Sequence, residues 1–443
     1  MSNNIRKSRY CFLIKDKDDI LAYTSAKNGF HVITPYIYDI ISTINTPLSE
    51  IGKQYDEEEI NTLHKFGLIT TEQEDDSIID RLRFRFLISA YATSVLNLTI
   101  LPTLQCNLEC PYCFEKNKPL KKMDQQTCDK LIAFIKSHKE AKTINITWFG
   151  GEPLMGTGVI QYLLDKIDTL EDKKLGYQSI ITNGTLLNSK TLETFKEHPL
   201  NQIQITFDGK KHTHDTKRIR HDGTGTYDTI ISNLDDFIHA CPDTKVDIRV
   251  NIDKNNADEF MDIYEELKQR YPEKQNLTIY PGILKACGNL SNGAFLTNKD
   301  LLDINERFCQ KGYPLHIPFT HCSGCTATAL SSYVIGPEGE IYKCWEDVGI
   351  EEKVIGYVDG KTGKAPHLLT SYMMRGSHIL DNACEECPLL PVCSNDCAHD
   401  RLFARENGMK DEELCTFYKT GNYEGLNHIL LKFFHTQRRL THQ

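Results

Sequence analysis

Between Leu96 and Tyr280, short apolar runs alternate with longer segments whose apolar residues recur at helical spacing. The runs Leu96–Leu101, Ile144–Phe149, Gln178–Thr182, Gln202–Phe207, Val246–Ile252 and Leu277–Tyr280 read as strands. The segments Asp124–Lys139, Val159–Leu170, Ser189–Glu197, Tyr227–Ala240 and Ala257–Arg270 read as helices, with Asp124 and Ser189 suited to N-caps. Six strand–helix repeats predict an α/β fold: a parallel sheet with helices outside, curled by right-handed crossovers into a partial (β/α)6, TIM-like barrel. In such folds the chemistry sits at the carboxyl ends of the strands.

The first 95 residues follow another pattern. Cys11–Lys15, Ile20–Thr24 and Phe30–Ile33 are short apolar runs split by polar turns, which predicts a small meander. Thr34-Pro35 then reads as a cap followed by proline in the first helical position. Leu48–Tyr55 and Asp56–Phe66 continue as short helices, and Gly67 is a suitable stop. Three strands and three helices suggest a winged-helix-like domain; the alternative is an extension that only packs on the main domain. After about Asn298 the alternation ends, and the chain becomes rich in glycine, proline and cysteine. Such a segment buries little apolar area and needs metal or disulfide crosslinks to hold a shape. Asn422–Thr441 reads as a closing helix with a basic end. The expected division is 1–95, 96–298, 299–421 and 422–443.

Composition narrows the function. The 443 residues include 25% charged and 40% hydrophobic side chains, an ordinary globular balance. A net charge of −10 gives no reason to expect a nucleic-acid partner. Met1–Lys15 lacks a secretory pattern, and no run reaches the ~20 apolar residues of a membrane-spanning helix. A soluble, cytoplasmic protein that binds no membrane is the expectation. Sixteen cysteines then change the picture, because a reducing compartment disfavours disulfides. They are bunched: three fall in Cys106–Cys113 and eight in Cys322–Cys415. That distribution suits metal or redox chemistry.

Cys106, Cys110 and Cys113 stand in Cys-Asn-Leu-Glu-Cys-Pro-Tyr-Cys-Phe, directly after the first strand. Three thiolates at this spacing suit three irons of a cubane cluster and leave the fourth iron open for chemistry. A zinc knuckle completed by a distant residue is the other reading. Gly150-Gly151-Glu152-Pro153 follows the second strand, Thr182-Asn183-Gly184-Thr185 the third, and Thr206-Phe207-Asp208-Gly209 the fourth. The cysteine loop and these turns resemble the radical S-adenosylmethionine superfamily. The resemblance implies that the open iron chelates S-adenosylmethionine. Cleavage of that cofactor gives a 5′-deoxyadenosyl radical that abstracts a substrate hydrogen. It also implies cofactor contacts from Gly150, Gly151, Glu152 and Pro153 on the amino side. Thr182, Asn183, Thr206 and Asp208 would line the ribose and carboxylate side. Arg218 is a candidate for the cofactor carboxylate, or equally a surface arginine.

Cys384-x2-Cys387-x5-Cys393-x3-Cys397, then Cys415, forms a second dense run, with Cys325 and Gly339-x4-Cys344 upstream. Spacing alone leaves two zinc ribbons open. The pattern resembles the SPASM auxiliary-cluster domain of peptide-modifying members of the superfamily. Carried over, Cys325, Cys344 and Cys397 hold a first auxiliary cluster, and Cys384, Cys387, Cys393 and Cys415 a second. Cys322 is available as the fourth thiolate of the first, with Cys309 or an open iron as alternatives. The count implied is three 4Fe–4S clusters. Cys287, after the sixth strand, is a candidate for substrate contact or hydrogen donation. Cys128 sits at apolar helix spacing and reads as core. Gly223-Thr-Gly225 lacks the third glycine of a dinucleotide loop.

In relatives the N-terminal domain is similar to a PqqD-like leader-peptide recognition element, which pairs an edge strand with an extended peptide. The expected function is therefore a radical oxidoreductase of ribosomal-peptide (RiPP) maturation. It would form a thioether or carbon–carbon crosslink in a leader-bearing precursor peptide and draw electrons from a partner such as flavodoxin or ferredoxin. An anaerobic sulfatase-maturing, formylglycine-generating enzyme is a second expectation. A non-catalytic zinc-stabilised binding protein is a third.

Overall fold

The computed structural model describes residues 4–17, 19–113, 119–284, 296–313, 325–393, 397–409, 415 and 419–441. The chain forms two compact units. One comprises Met1–Tyr91, Pro314–Thr328 and Ser371–Gln443; the other comprises Ala92–Tyr313 and Ala329–Thr370.

The first unit begins with β1 (Asn4–Lys7), followed by the meander β2 (Cys11–Asp16), β3 (Asp19–Thr24) and β4 (Gly29–Ile33). Thr34 accepts the Ile37 amide and opens α1 (Pro35–Thr43), as its position before proline predicts. β5 (Asn45–Pro47) pairs antiparallel with β1. The helix expected over Leu48–Tyr55 is only a 3-10 turn and the one-turn α2 (Ile51–Gln54), where Gly52 disfavours a longer run. Asp56 caps α3 (Glu57–Phe66), and Gly67 ends it at φ 75°. β6 (Ile69–Thr70) also pairs with β1. A capping box of Thr71 and Glu74 starts α4 (Glu72–Ala90), whose signature Thr-x-x-Glu stands in the sequence but was not among the expected helices. Ile5, Ile40, Ile41, Ile60, Leu63 and Leu68 are among the residues of the small core.

The second unit carries the alternation. Its elements are β7 (Val95–Ile100), α5 (Gln125–Ser137), β8 (Thr143–Trp148), α6 (Thr157–Asp168), β9 (Lys174–Thr182), α7 (Ser189–Glu197), β10 (Gln202–Phe207), α8 (Lys211–Lys217), α9 (Tyr227–Ala240), β11 (Lys245–Ile252), α10 (Phe260–Arg270) and β12 (Leu277–Ile283). Strands β7 to β12 are neighbours in chain order and all parallel. Apolar side chains between sheet and helices, among them Leu98, Ile146, Ile203, Ile205 and Phe237, form the main core. Each such buried side chain contributes about 1.5–3 kcal/mol. Trp148, fully buried, donates its ring N–H to Gln178 at 2.9 Å. The α7 cap is Asn188, one residue before the expected Ser189, because its side chain reaches the Lys190 and Thr191 amides.

Regular structure also continues past Asn298, where the sequence predicts mostly loop. α11 (Asn298–Gln310) starts from a Thr297/Asp300 capping box. β13 (Ser332–Ile335) returns to pair in parallel with β7. β14 (Glu340–Tyr342) and β15 (Gly356–Tyr357) extend that side antiparallel. The final sheet order is β12-β11-β10-β9-β8-β7-β13-β14-β15. The six barrel strands thus remain open, since β7 takes β13 as its second neighbour.

After α12 (Leu368–Arg375) come α13 (Asn382–Glu385), α14 (Ala398–Glu406) and α15 (Thr420–Thr441), the expected closing helix. Within the first unit α15 lies on the meander. Phe12 meets Tyr423 edge-on at 5.3 Å, and Asp16 and Asp19 meet His435 and Arg438 at 2.8 and 2.9 Å.

Candidate functional site

The chain leaves β7 through Leu101 and enters a loop anchored by Thr103, which is fully buried. Its hydroxyl donates to Lys121 O and accepts the Gln105 amide. Beyond it come Cys106, Cys110 and Cys113. The Leu108 amide points at Cys106 Sγ at 3.4 Å, and the Glu109 amide donates to Ile219 O. Burial pushes the Cys106 thiol up to about 12 and the Cys110 thiol upward, the latter opposed by nearby Arg218. Among the described residues no three acidic, histidine or cysteine side chains yet converge at metal-ligand spacing.

The turn after β8 lies against this loop. Gly150 has φ 122°, and a Cβ there would stand 2.3 Å from Thr103 O. A Cβ on Gly151 would stand 2.3 Å from Gln105 O and 2.5 Å from Leu104 O. Only glycine permits that approach. Glu152 follows with no exposed surface. Its carboxylate accepts the Thr182 hydroxyl at 2.7 Å, the Asn183 amide at 2.8 Å and the Leu154 amide at 3.0 Å. Burial raises its pKa against these donors. Pro153 begins the 3-10 turn that follows.

The third strand end closes the ring. Asn183 Nδ2 donates to Asn107 Oδ1 at 2.9 Å and lies 3.8 Å from Cys106 Sγ, while Asn107 donates to Thr185 at 2.8 Å. Thr206, at the end of β10, is buried and makes no side-chain hydrogen bond among the described residues. Asp208, just beyond, is fully buried. Its Oδ2 accepts the Tyr112 hydroxyl at 2.6 Å, and Arg218 stands 3.5 Å away. Tyr112 in turn accepts from Arg218 at 3.1 Å and from Asn251 at 3.3 Å. Asp208 Oδ1 and Arg218 Nε are buried without partners. His214 accepts the Asp208 amide at Nδ1 and faces Thr226 at Nε2. Tyr112, Asn107, Asn251 and His214 are the members that residue types alone did not single out. Arg218 is buried beside Asp208, so it is not a surface arginine.

The first unit holds the second cysteine group. Cys384 lies on α13, and the Cys387 amide donates to Cys384 O. Lys419 Nζ is 3.6 Å from Cys415 Sγ, and the charges of Cys387 and Cys384 also reach it. Cys393 follows the turn Leu390–Val392. Cys397 caps α14, which packs on the Thr326–Thr328 turn directly after Cys325. Cys344 belongs to the other unit, buried after the β13–β14 hairpin whose turn uses Gly339 at φ 82°. Cys128 is core, as expected, and Cys309 contacts Asn305 on α11. Cys287 and Cys322 lie outside the described residues.

Residues 100–267 match the family model of the Radical SAM superfamily. The chain carries a radical SAM domain. The "Cysteine-type anaerobic sulfatase-maturating enzyme" of Clostridium novyi (strain NT) is 24% identical over 369 residues, 73% of this chain and 94% of that one. A native anSMEcpe structure with bound AdoMet superposes with a TM-score of 0.59 at 18% identity, covering 77% of this chain and 99% of the other. Streptococcus suis SuiB bound to precursor peptide SuiA gives 0.52 at 14% identity, covering 93% and 99%. The family implies S-adenosylmethionine and one 4Fe–4S cluster. The residues present suit that pair. Three thiols share one loop, soft donors for iron, and a buried acceptor and a buried donor stand unpartnered beside them. No helix among the described residues is long and apolar enough to cross a membrane.

Proposed function

We propose that this radical SAM enzyme is a peptide maturase that installs a thioether or carbon–carbon crosslink in a ribosomally made precursor peptide. Cys106, Cys110 and Cys113 hold the cluster with the open iron. Glu152, Thr182, Asn183, Asp208 and Arg218 line the cofactor, with Gly150, Gly151 and Pro153 shaping the turn that approaches it. When bound, cluster and S-adenosylmethionine supply a 5′-deoxyadenosyl radical for hydrogen abstraction. Cys325, Cys344 and Cys397, with Cys322, hold a first auxiliary cluster; Cys384, Cys387, Cys393 and Cys415 hold a second. Such clusters carry electrons, so the enzyme acts as an oxidoreductase served by flavodoxin or ferredoxin in the cytoplasm.

The observation that carries the peptide reading is the extent of the likeness. The peptide-bound SuiB structure covers 93% of the chain, against 77% for anSMEcpe. β2 and β4 are the outer strands of the N-terminal meander, where an extended leader could add by backbone hydrogen bonds. Incubation with a leader-bearing peptide, reductant and S-adenosylmethionine should remove two hydrogens from the peptide by mass spectrometry. The same core peptide without its leader should react poorly. An unmodified leader-bearing peptide, together with conversion of a sulfatase-derived peptide to the aldehyde, would favour the second reading. That reading, sulfatase maturation, draws on the Clostridium novyi relative, matched over 94% of its length.

A further inference from the structure

Cations crowd the second cysteine group. Asp381 caps α13, the one-turn helix that carries Cys384, by accepting the Ala383 amide at 3.1 Å. Its other oxygen accepts from Arg401 at 2.9 Å and from Arg405 at 2.7 Å. Arg401 is only 5% exposed, and its second terminal nitrogen reaches Cys384 Sγ at 3.8 Å. Its Nε is buried without a partner. On the other side of the group, Lys419 Nζ stands 3.6 Å from Cys415 Sγ. Asp381 thus pairs with two cations, Arg401 and Arg405, and two cations of the group, Arg401 and Lys419, point at sulfur. Asp381 offsets part of the buried Arg401 charge, and the guanidinium N–H aimed at Cys384 Sγ is a stronger donor to an anionic sulfur than to a neutral thiol.

We infer that Arg401 and Lys419 set the reduction potential of the cluster held by Cys384, Cys387, Cys393 and Cys415, raising it so that this cluster accepts an electron readily. The inference rests on the auxiliary-cluster reading given above. Reduction adds one negative charge to an iron–sulfur group already ringed by thiolates, and no bond forms or breaks. A cation and an N–H donor at the sulfurs stabilise the reduced form more than the oxidised one. Arg401 carries the larger share, because it is buried and fixed by Asp381, whereas Lys419 is partly exposed and screened. Both are positioning residues: they touch ligand sulfurs and not the substrate.

The test is a mediated redox titration followed by electron paramagnetic resonance. It uses the full chain, reconstituted anaerobically, with Cys106→Ala, Cys110→Ala and Cys113→Ala to silence the first loop. In this background Arg401→Met and Lys419→Met should each move one reduction wave to lower potential. The shift for Arg401→Met should be about tenfold in the oxidised-to-reduced ratio, or about 59 mV for one electron. Lys419→Arg should restore the wild-type midpoint. Unmoved waves at full iron content would overturn the inference, as would an unmoved Lys419→Met wave if Arg401→Met loses iron. Zinc in place of iron in the unsubstituted chain would instead overturn the auxiliary-cluster reading, a result separate from an unmoved wave.

Discussion

Tyr112 and Asp208 share a 2.6 Å hydrogen bond that ties the middle of the cysteine loop to the end of β10. The phenol also accepts from Arg218 and Asn251, so one side chain links the loop, the segment after α8 and the fifth barrel strand. Tyr112→Phe keeps the ring and removes all three bonds. The cost should be about 1–3 kcal/mol, or roughly ten- to a hundredfold in the rate of 5′-deoxyadenosine release. Iron content should be unchanged. A wild-type rate in this variant would reduce the phenol to packing.

Gly151→Ala forces a methyl group into the Gln105 and Leu104 carbonyls, both within 2.5 Å. The cysteine loop must then shift, and 5′-deoxyadenosine release should fall at least tenfold. Gly158, on the first turn of α6, has open space around it. Gly158→Ala should retain activity and stabilise by up to ~1 kcal/mol, since alanine is the better helix former. Equal behaviour of the two alanine variants in activity and melting would refute the argument.

His214 makes the site acid-sensitive. Burial lowers its pKa from 6.5 to about 3, with Arg218 adding to the effect. The neutral ring accepts the Asp208 amide, which an imidazolium cannot do. As pH falls, the unfolded chain takes this proton first. The contribution of His214 to stability is therefore complete above about 6.5 and is lost progressively down to about 3. The slope approaches ~1.4 kcal/mol per pH unit within that window. Thermal melts of wild type and His214→Gln across it should converge toward the acid end. Parallel curves would show that His214 does not titrate there.

Glu74 is shifted in the same direction as His214, but for a different reason. Burial raises its pKa, but the Thr71 amide, His64 and Thr70 outweigh burial and bring it to about 2. The stabilisation is present above the ordinary carboxylate value of 4.5 and is lost as pH falls toward about 2. The side chain is 45% exposed, so the contribution should not exceed ~1 kcal/mol. Glu74→Gln should lower the melting temperature near neutral pH and leave it unchanged at the acid end of that range. A loss that persists undiminished in acid would point to packing and not to charge.

The barrel was legible because each strand and helix carries its own period. Gln202–Phe207 and Tyr227–Ala240 fall where alternation places them. Thr34 and Gly67 mark helix ends because their chemistry suits only those positions. β13, β14 and β15 were not legible: strands of four, three and two residues are too short to show a period. The pairing of β13 with β7 joins Ser332 to Asn97, a separation that leaves no local trace. The site divides in the same way. The spacing of Cys106, Cys110 and Cys113 and the Gly-Gly-Glu-Pro turn are local and could be read. Tyr112 and Asn251 are 139 positions apart, and residue type alone does not say that they meet.

The return of β13 to β7 gives the cysteine loop a flanked origin. Without it, β7 would lie at the rim of an unclosed barrel, with a free row of amides and carbonyls on one side. A fragment ending after β12 would keep all six barrel strands and the whole three-cysteine motif, yet start its most demanding loop from a fraying margin. The β13 strand is thus mechanically upstream of the first loop, although it is translated after it.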